Sequence, residues 1–222
     1  MSEVRKMKEK REIVSLRKAC EKHFLMEDGT IIAEMYSEPV HYLKNGIYEE
    51  IDNTLEEKEG YFCNRKNEFQ AKFKTETHEN ELFTIERDGH RLSMYFKSEK
   101  DICPQLKHQE LSYFDLLDDI DVKYQVLPTK VKESIILKEP KTTPDTIEFI
   151  IDTDLELYIP NDGTIQAKFG EQTIFIIEEP YMIDFFGKEN HNLYYSLEKH
   201  DHHYDVSLHL DKEWLDLATF PV

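Results

Sequence analysis

Four glycine-containing reversals decide what this chain can fold into. Asp28-Gly29, Asn45-Gly46, Asp88-Gly89 and Asn161-Asp162-Gly163 each stand between short runs in which apolar and polar residues alternate. Asn-Gly and Asp-Gly supply the two successive positive-φ positions of a type I′ turn, so each marks a strand folding back on itself. The third is the cleanest. With Asp88-Gly89 as a two-residue loop, Ile85 faces Leu92 and Phe83 faces Met94 on one side of the ribbon. Glu86 then faces Arg91, and Thr84 faces Ser93, on the other. An apolar face, a polar face and an opposite-charge cross-strand pair predict a hairpin lying on a core.

Further strand-like runs follow at 124–127, 131–137, 146–151, 155–159, 173–177, 193–197 and 204–210. Many short strands with turn signals between them point to sandwiches or open barrels. Between residues 101 and 121 the alternation breaks. Leu106, Leu111, Phe114 and Leu117 are irregularly spaced there, which predicts a helical turn or loop around 111–117 that divides the chain. The expected fold is mainly β: two consecutive β-sandwich-like modules, 24–100 and 122–222, joined by a partly helical connector at 101–121. Residues 1–23 form a basic lead-in, in which Ile13, Leu16 and Cys20 at helical spacing predict a short helix or arm.

An internal echo supports two related halves. Asp28-Gly29-Thr30-Ile31-Ile32-Ala33 precedes Glu38-Pro39-Val40, and Asp162-Gly163-Thr164-Ile165-Gln166-Ala167 precedes Glu179-Pro180-Tyr181. The spacing from glycine to proline is longer in the second copy, which makes room for one extra strand there.

Composition bounds the partners. The 222 residues carry 28 Lys+Arg against 46 Asp+Glu, a net charge of −18, which disfavours nucleic acid or an anionic membrane as the partner of the whole surface. With 39% hydrophobic and 12% aromatic residues, the chain can still build a core rather than stay disordered. No run approaches the ~18 apolar residues of a membrane span, and residues 1–22 lack the apolar centre of a secretory signal. Cys20, Cys63 and Cys103 are widely spaced, with no CxxC, so they make no zinc site by spacing and allow at most one disulfide.

The densest group of chemically useful side chains is His200-Asp201-His202-His203, with His191 before it and His209 after. On a strand His200 and His202 would share a face, the spacing of a two-histidine metal grip, but no third ligand is evident and a polar turn is the expectation. Asp115, Asp118, Asp119 and Asp121 lack the glycine and terminal glutamate of a calcium loop and read as solvated acids flanking a helix. Asp152, Asp154 and Glu156 alternate along one strand face, as on a solvent side. Tyr36, Tyr42, Tyr48, Tyr61, Tyr194, Tyr195, Tyr204 and Trp214 are candidates for a glycan or peptide surface, though strand aromatics more often fill cores. Tyr194 and Tyr195 point to opposite faces of an extended chain. There is no GxSxG, HExxH, GxxxxGK[ST] or GxGxxG.

Four segments, in order, resemble the N-terminal β-rich region of large secreted bacterial proteins with YD (RHS) repeats, the region that also precedes the DNRLRE-type module of Gram-positive wall-associated proteins. The first runs from Ser15-Leu16-Arg17 through Lys22-His23-Phe24, Asp28-Gly29-Thr30 and Glu38-Pro39-Val40-His41-Tyr42 to Ile51-Asp52-Asn53-Thr54-Leu55. The second joins Val122-Lys123-Tyr124-Gln125-Val126-Leu127-Pro128 to Val131-Lys132-Glu133-Ser134-Ile135-Ile136-Leu137. The third is Pro180-Tyr181-Met182-Ile183-Asp184 with Gly187, and the fourth is Glu213-Trp214-Leu215 reaching Phe220-Pro221-Val222. The resemblance implies a non-enzymatic structural or interaction module of an exported, extracellular or wall-associated protein. It implies no catalytic, cofactor or metal residue. Its partners would be other regions of the same polypeptide or another surface protein, with no nucleic acid and no membrane span. A carbohydrate- or peptide-binding module is the alternative, and a metal-dependent hydrolase centred on residues 200–203 is the third reading.

Overall fold

A computed structural model describes residues 10–76, 81–96 and 100–222. It is mainly β, as expected. In chain order, β1 (Lys10–Glu12), β2 (Glu21–Met26) and β3 (Ile31–Met35) form one sheet, and β4 (His41–Lys44) with β5 (Ile47–Glu50) form a hairpin. Then come β6 (Asp52–Lys58), β7 (Tyr61–Lys66), β8 (Gln70–Lys74), β9 (Glu81–Arg87) and β10 (His90–Phe96). A four-stranded sheet follows, made of β11 (Gln105–Lys107), β12 (Glu110–Leu117), β13 (Ile120–Val126) and β14 (Val131–Leu137). The rest comprises β15 (Thr146–Thr153), β16 (Glu156–Tyr158), β17 (Ile165–Phe169), β18 (Gln172–Ile177), β19 (Met182–Ile183), β20 (Glu189–Asn190), β21 (Tyr194–Lys199), β22 (His203–His209) and the single-turn α1 (Lys212–Leu215).

The Asp88-Gly89 hairpin forms in the expected register: Ile85 opposes Leu92, Phe83 opposes Met94, Glu86 opposes Arg91 and Thr84 opposes Ser93. Asp88 and Gly89 have φ of +53° and +82°, as a type I′ turn requires. Its polar face is buried too at one point. The Thr84 and Ser93 hydroxyls meet at 2.7 Å, and Thr84 donates to Glu81 Oε1 at 2.8 Å, so the pair is covered at no loss of hydrogen bonding.

Strand pairing crosses the expected division at residues 101–121. The largest sheet runs β21-β22-β15-β10-β9-β8-β7-β6, so β10 from the first half pairs antiparallel with β15 from the second. The connector expected to be partly helical is corrected. Residues 110–117 are strand β12, paired with β11 and β13, and its Leu111, Tyr113 and Leu116 are buried; of the four irregularly spaced residues only Leu111 is buried, while Leu106 and Phe114 face solvent. The N-terminal helix also gives way to strands over the described part of residues 1–23, apart from one 3-10 turn at Val14–Leu16. Residues 1–9 lie outside the described residues, and the expected boundary at 23/24 falls inside β2.

The four-stranded sheet lies face to face on the large one. Tyr124 of β13 packs its ring 5.3 Å from Phe73 and 5.4 Å from Phe83, which stack on each other at 5.1 Å, and Tyr113 meets Tyr124 edge-on at 6.2 Å. Both tyrosines are fully buried, so their hydroxyls need partners. Tyr113 donates to the Lys74 carbonyl at 2.8 Å, and Tyr124 donates to Glu133 Oε1 at 2.6 Å. Burial raises both phenols well above the usual range, and desolvation raises the Glu133 carboxyl. Phe96 and Phe149, stacked at 5.8 Å, continue the core across the β10–β15 seam.

The echoed triplets are one local structure used twice. Asp28 Oδ1 accepts from the Thr30 backbone N–H and hydroxyl at 3.0 and 2.6 Å, and Asp162 Oδ1 does the same for Thr164 at 3.1 and 2.7 Å. The extra strand expected in the second copy is β18.

Candidate functional site

Residues 198–205 form the end of the β21–β22 hairpin at the edge of the large sheet. Glu198 opposes Asp205 and Lys199 opposes Tyr204, so the register carries on to place His200 opposite His203. The His200 N–H donates to the His203 carbonyl at 2.9 Å, which leaves Asp201 and His202 as the exposed turn. A two-residue turn thus reassigns the pairing expected from strand spacing: His200 shares its face with His203, not His202. The imidazoles stack with centroids 4.7 Å apart and planes 21° from parallel.

Strand alternation brings acids beneath them. His203 Nε2 lies 3.4 Å from Asp205 Oδ1, and His200 Nε2 lies 3.7 Å from Asp205 Oδ2 and 4.0 Å from Glu198 Oε1. His200, His203 and Asp205 each place a ligand atom within 4.8 Å of the others. The third candidate ligand that spacing did not reveal is therefore Asp205, three residues beyond the turn. The flanking histidines do not join the group: His191 stacks on Tyr181 and His209 stacks on Tyr194 while bonding Ser196.

The acidic groups singled out in the sequence are built into ion pairs. Lys138 bridges Asp115 of β12 and Asp121 of β13, and Lys100 holds Asp118 at 2.8 Å, so these acids sit on a β-hairpin rather than beside a helix. Asp119 lies in the reversal itself, at φ +57°. Asp152 pairs with Arg91 at 2.9 Å, and Asp154 accepts from the His90 ring and the Arg91 N–H, so this face pins the Asp88-Gly89 hairpin. Glu156 lies 3.6 Å from Lys199.

The tyrosines and Trp214 make no row. Tyr204 is buried, and Tyr42, Tyr48, Tyr61, Tyr195 and Trp214 are half-buried. Tyr36 is exposed and bonded to Glu34, and Tyr194 is exposed while Tyr195 turns inward onto Phe149. Cys20, Cys63 and Cys103 are all free thiols. A cleft of about 540 Å³ between β16–β17 and β21–β22 is lined by Lys168, Lys199, Tyr158 and Tyr204. A second, of about 630 Å³, is lined by Lys66 and by Lys44, Arg65, Arg87 and Arg91. Four of these five cations are matched by an acid: Lys44 by Glu49, Arg65 by Glu56 and Asp52, Arg87 by Glu68, and Arg91 by Asp152.

Sequence reasoning missed His41. It is the one fully buried side chain between residues 10 and 50, and its Nδ1–H donates to the Lys18 carbonyl at 2.8 Å. Its Nε2 faces Glu12, which accepts from Arg17 Nε and Nη2 at 2.8 Å each. That bidentate bond holds the Glu12 carboxyl below its usual range. Arg17 and His41 both belong to the first resemblance segment, and the other segments meet in a similar way. Asn53 accepts from Asn67, which also donates to the Pro128 carbonyl, and Val222 exchanges two backbone hydrogen bonds with Leu137.

No family model and no solved structure matches the chain. It is 24% identical over 227 residues to the tRNA3(Ser)-specific nuclease WapA of Bacillus spizizenii, covering 92% of this chain and 10% of that protein. It is 25% identical over 233 residues to the tRNA nuclease WapA of Bacillus subtilis (strain 168), with the same coverage. It is 22% identical over 191 residues to a protein of Geobacillus stearothermophilus named "Wall-associated protein", covering 78% of this chain and 74% of that one. The chain thus spans about a tenth of the length of its nuclease relatives. These names correct the expectation of a non-enzymatic module: three of the proteins the chain is similar to, each over 92% of its length, are named tRNA nucleases. Among the described residues, no helix is long and apolar enough to cross a membrane.

Proposed function

We propose that this chain is a structural and docking module of a large, exported, wall-associated bacterial polypeptide of the YD-repeat kind, and that the whole polypeptide acts on tRNA. The observation that carries the reading is the similarity to the wall-associated protein of Geobacillus stearothermophilus, which runs over 74% of that protein and 78% of this chain. The geometry supports it. The resemblance segments act as joints, Arg17 and His41 at one end and Pro128, Leu137 and Val222 at the other, which is what a module holding its neighbours in fixed register requires.

We place tRNA contact outside this segment. Phosphate binding works by releasing counterions to a basic face, whereas the net charge here is −18 and four of the five lysines and arginines lining the larger cleft are paired with acids. The test is cosedimentation of the tag-free chain with purified Gram-positive wall sacculi, beside a gel shift with bulk tRNA. The reading expects the chain in the sacculus pellet and no shifted tRNA. A chain left in the supernatant would remove wall docking, and a tRNA complex would remove the placement of RNA contact elsewhere.

A glycan-binding version of the same role has one observation in its favour. Tyr181 and Tyr194, 51% and 59% exposed, each stack on a histidine and present a free ring face. Loss of pelleting in Tyr194→Ala, with the fold intact, is its signature.

A further inference from the structure

We infer that the tip of the β21–β22 hairpin is a binding site for one divalent transition-metal ion of the zinc class, held by His200 Nε2, His203 Nε2 and the Asp205 carboxylate, with Glu198 as the fourth ligand.

The spacing is the first argument. A hydrogen bond between an imidazole nitrogen and a carboxylate oxygen closes to about 2.7–3.2 Å. Here the contacts stand at 3.4 and 3.7 Å, with Glu198 at 4.0 Å. Two donors that each sit about 2.0–2.1 Å from a tetrahedral zinc lie roughly 3.4 Å apart. Each histidine nitrogen therefore stands from Asp205 at about the spacing of two ligands on one cation, and the donors of these three residues lie within 4.8 Å of one another.

Charge is the second. Glu198 and Asp205 are directly opposite each other across the strands, a like-charge arrangement that destabilises a ribbon. A divalent cation between them turns that repulsion into attraction. The ligand types then choose the metal. Two imidazole nitrogens with carboxylate oxygens suit zinc, cobalt, nickel or copper, whereas calcium and magnesium call for an all-oxygen shell.

The backbone has already brought the donors together. The register and the two-residue turn fix both histidines and both acids on one face, so little chain entropy is lost on binding. Bound metal would staple the two strands at the open edge of the large sheet, where unpaired strands are exposed to unwanted pairing. Lys199 and Tyr204, on the opposite face, are left to line the cleft beside β16 and play no part in the site.

The test is calorimetric titration of the tag-free chain with zinc chloride in a buffer that does not chelate, with cobalt absorption as a second readout. The expected result is one ion per chain and the visible bands of four-coordinate cobalt. Affinity should fall more than about tenfold in His203→Ala, His200→Ala and Asp205→Asn, and by less than about twofold in His202→Ala, whose side chain lies in the turn. Circular dichroism checks the fold of each variant, and His200→Ala, at an exposed position, carries the test if His203→Ala folds poorly. Absence of zinc binding overturns the inference. So does His202→Ala weakening binding as much as His203→Ala, which would show a loose histidine-rich surface in place of a built site.

Discussion

The hydrogen bond between Tyr124 and Glu133 gives the sharpest handle on what holds the two sheets together. Tyr124 is fully buried between Phe73, Phe83 and Tyr113, and its hydroxyl reaches Glu133 Oε1 at 2.6 Å. Tyr124→Phe keeps the ring contacts and removes only the donor. A hydrogen bond to a charged group contributes about 1.5–3 kcal/mol, and the larger end applies when the partner is left buried without a substitute. Glu133→Gln tests the same contact from the other side: the amide oxygen still accepts from Tyr124 and the charge disappears.

Desolvation holds the Glu133 carboxyl above its ordinary range, so the folded chain binds that proton more tightly than the unfolded one. Wild-type stability from this group is then greatest below the ordinary carboxylate range and is lost as pH rises through the folded value. Glu133→Gln does not titrate. It should be at least as stable as wild type at pH 7, and that advantage should close as the solution is acidified. Urea unfolding followed by Trp214 fluorescence and far-ultraviolet dichroism reads both variants and their double mutant. Tyr124→Phe within about 0.5 kcal/mol of wild type, or a Glu133→Gln loss as large as that of Tyr124→Phe at pH 7, would refute the reasoning.

Two further outcomes follow from local geometry. Gly89 has φ +82° with open space where a Cβ would sit, so Gly89→Ala should cost about 1–2 kcal/mol from backbone strain alone, and Gly89→Asn should recover most of it; urea midpoints decide. Asp211 accepts from the Trp214 N–H and from the Asn190 and Asn192 amides, bonds that hold its carboxyl below the usual range. Its contribution is present above the unfolded carboxylate range and lost as pH falls through the folded value, so Asp211→Ala should lower the urea midpoint at pH 7 and converge on wild type in acid.

Much of this was legible residue by residue. Turn chemistry at Asp88-Gly89 and Asn45-Gly46 predicted two hairpins, because positive φ is a local demand that local sequence meets. The run 131–137 was read as a strand with the observed bounds. What stayed hidden was set by partners distant in sequence. Nothing between Phe96 and Phe149 announces that β10 will pair with β15, and Leu111, Phe114 and Leu117 look irregular until their stretch is known to be a strand paired with β13, with Leu111, Tyr113 and Leu116 buried. The site failed for a smaller reason. His200 and His202 share a face only if the strand continues, and the turn at Asp201-His202 exchanges His202 for His203 and brings in Asp205. Counting inward from Glu198 opposite Asp205, a pair of acids flanking a pair of histidines, was the signal that would have found it.

At the seam between β10 and β15 the two halves of the chain become one sheet. Hydrogen exchange measured amide by amide tests it directly. If the seam is as described, the Met94, Phe96, Phe149 and Ile151 amides open together, with one free energy and one denaturant dependence shared with the Tyr124 strand. Protection that is lost in residues 81–96 while 146–153 and 203–209 stay closed would show two independent modules and contradict it.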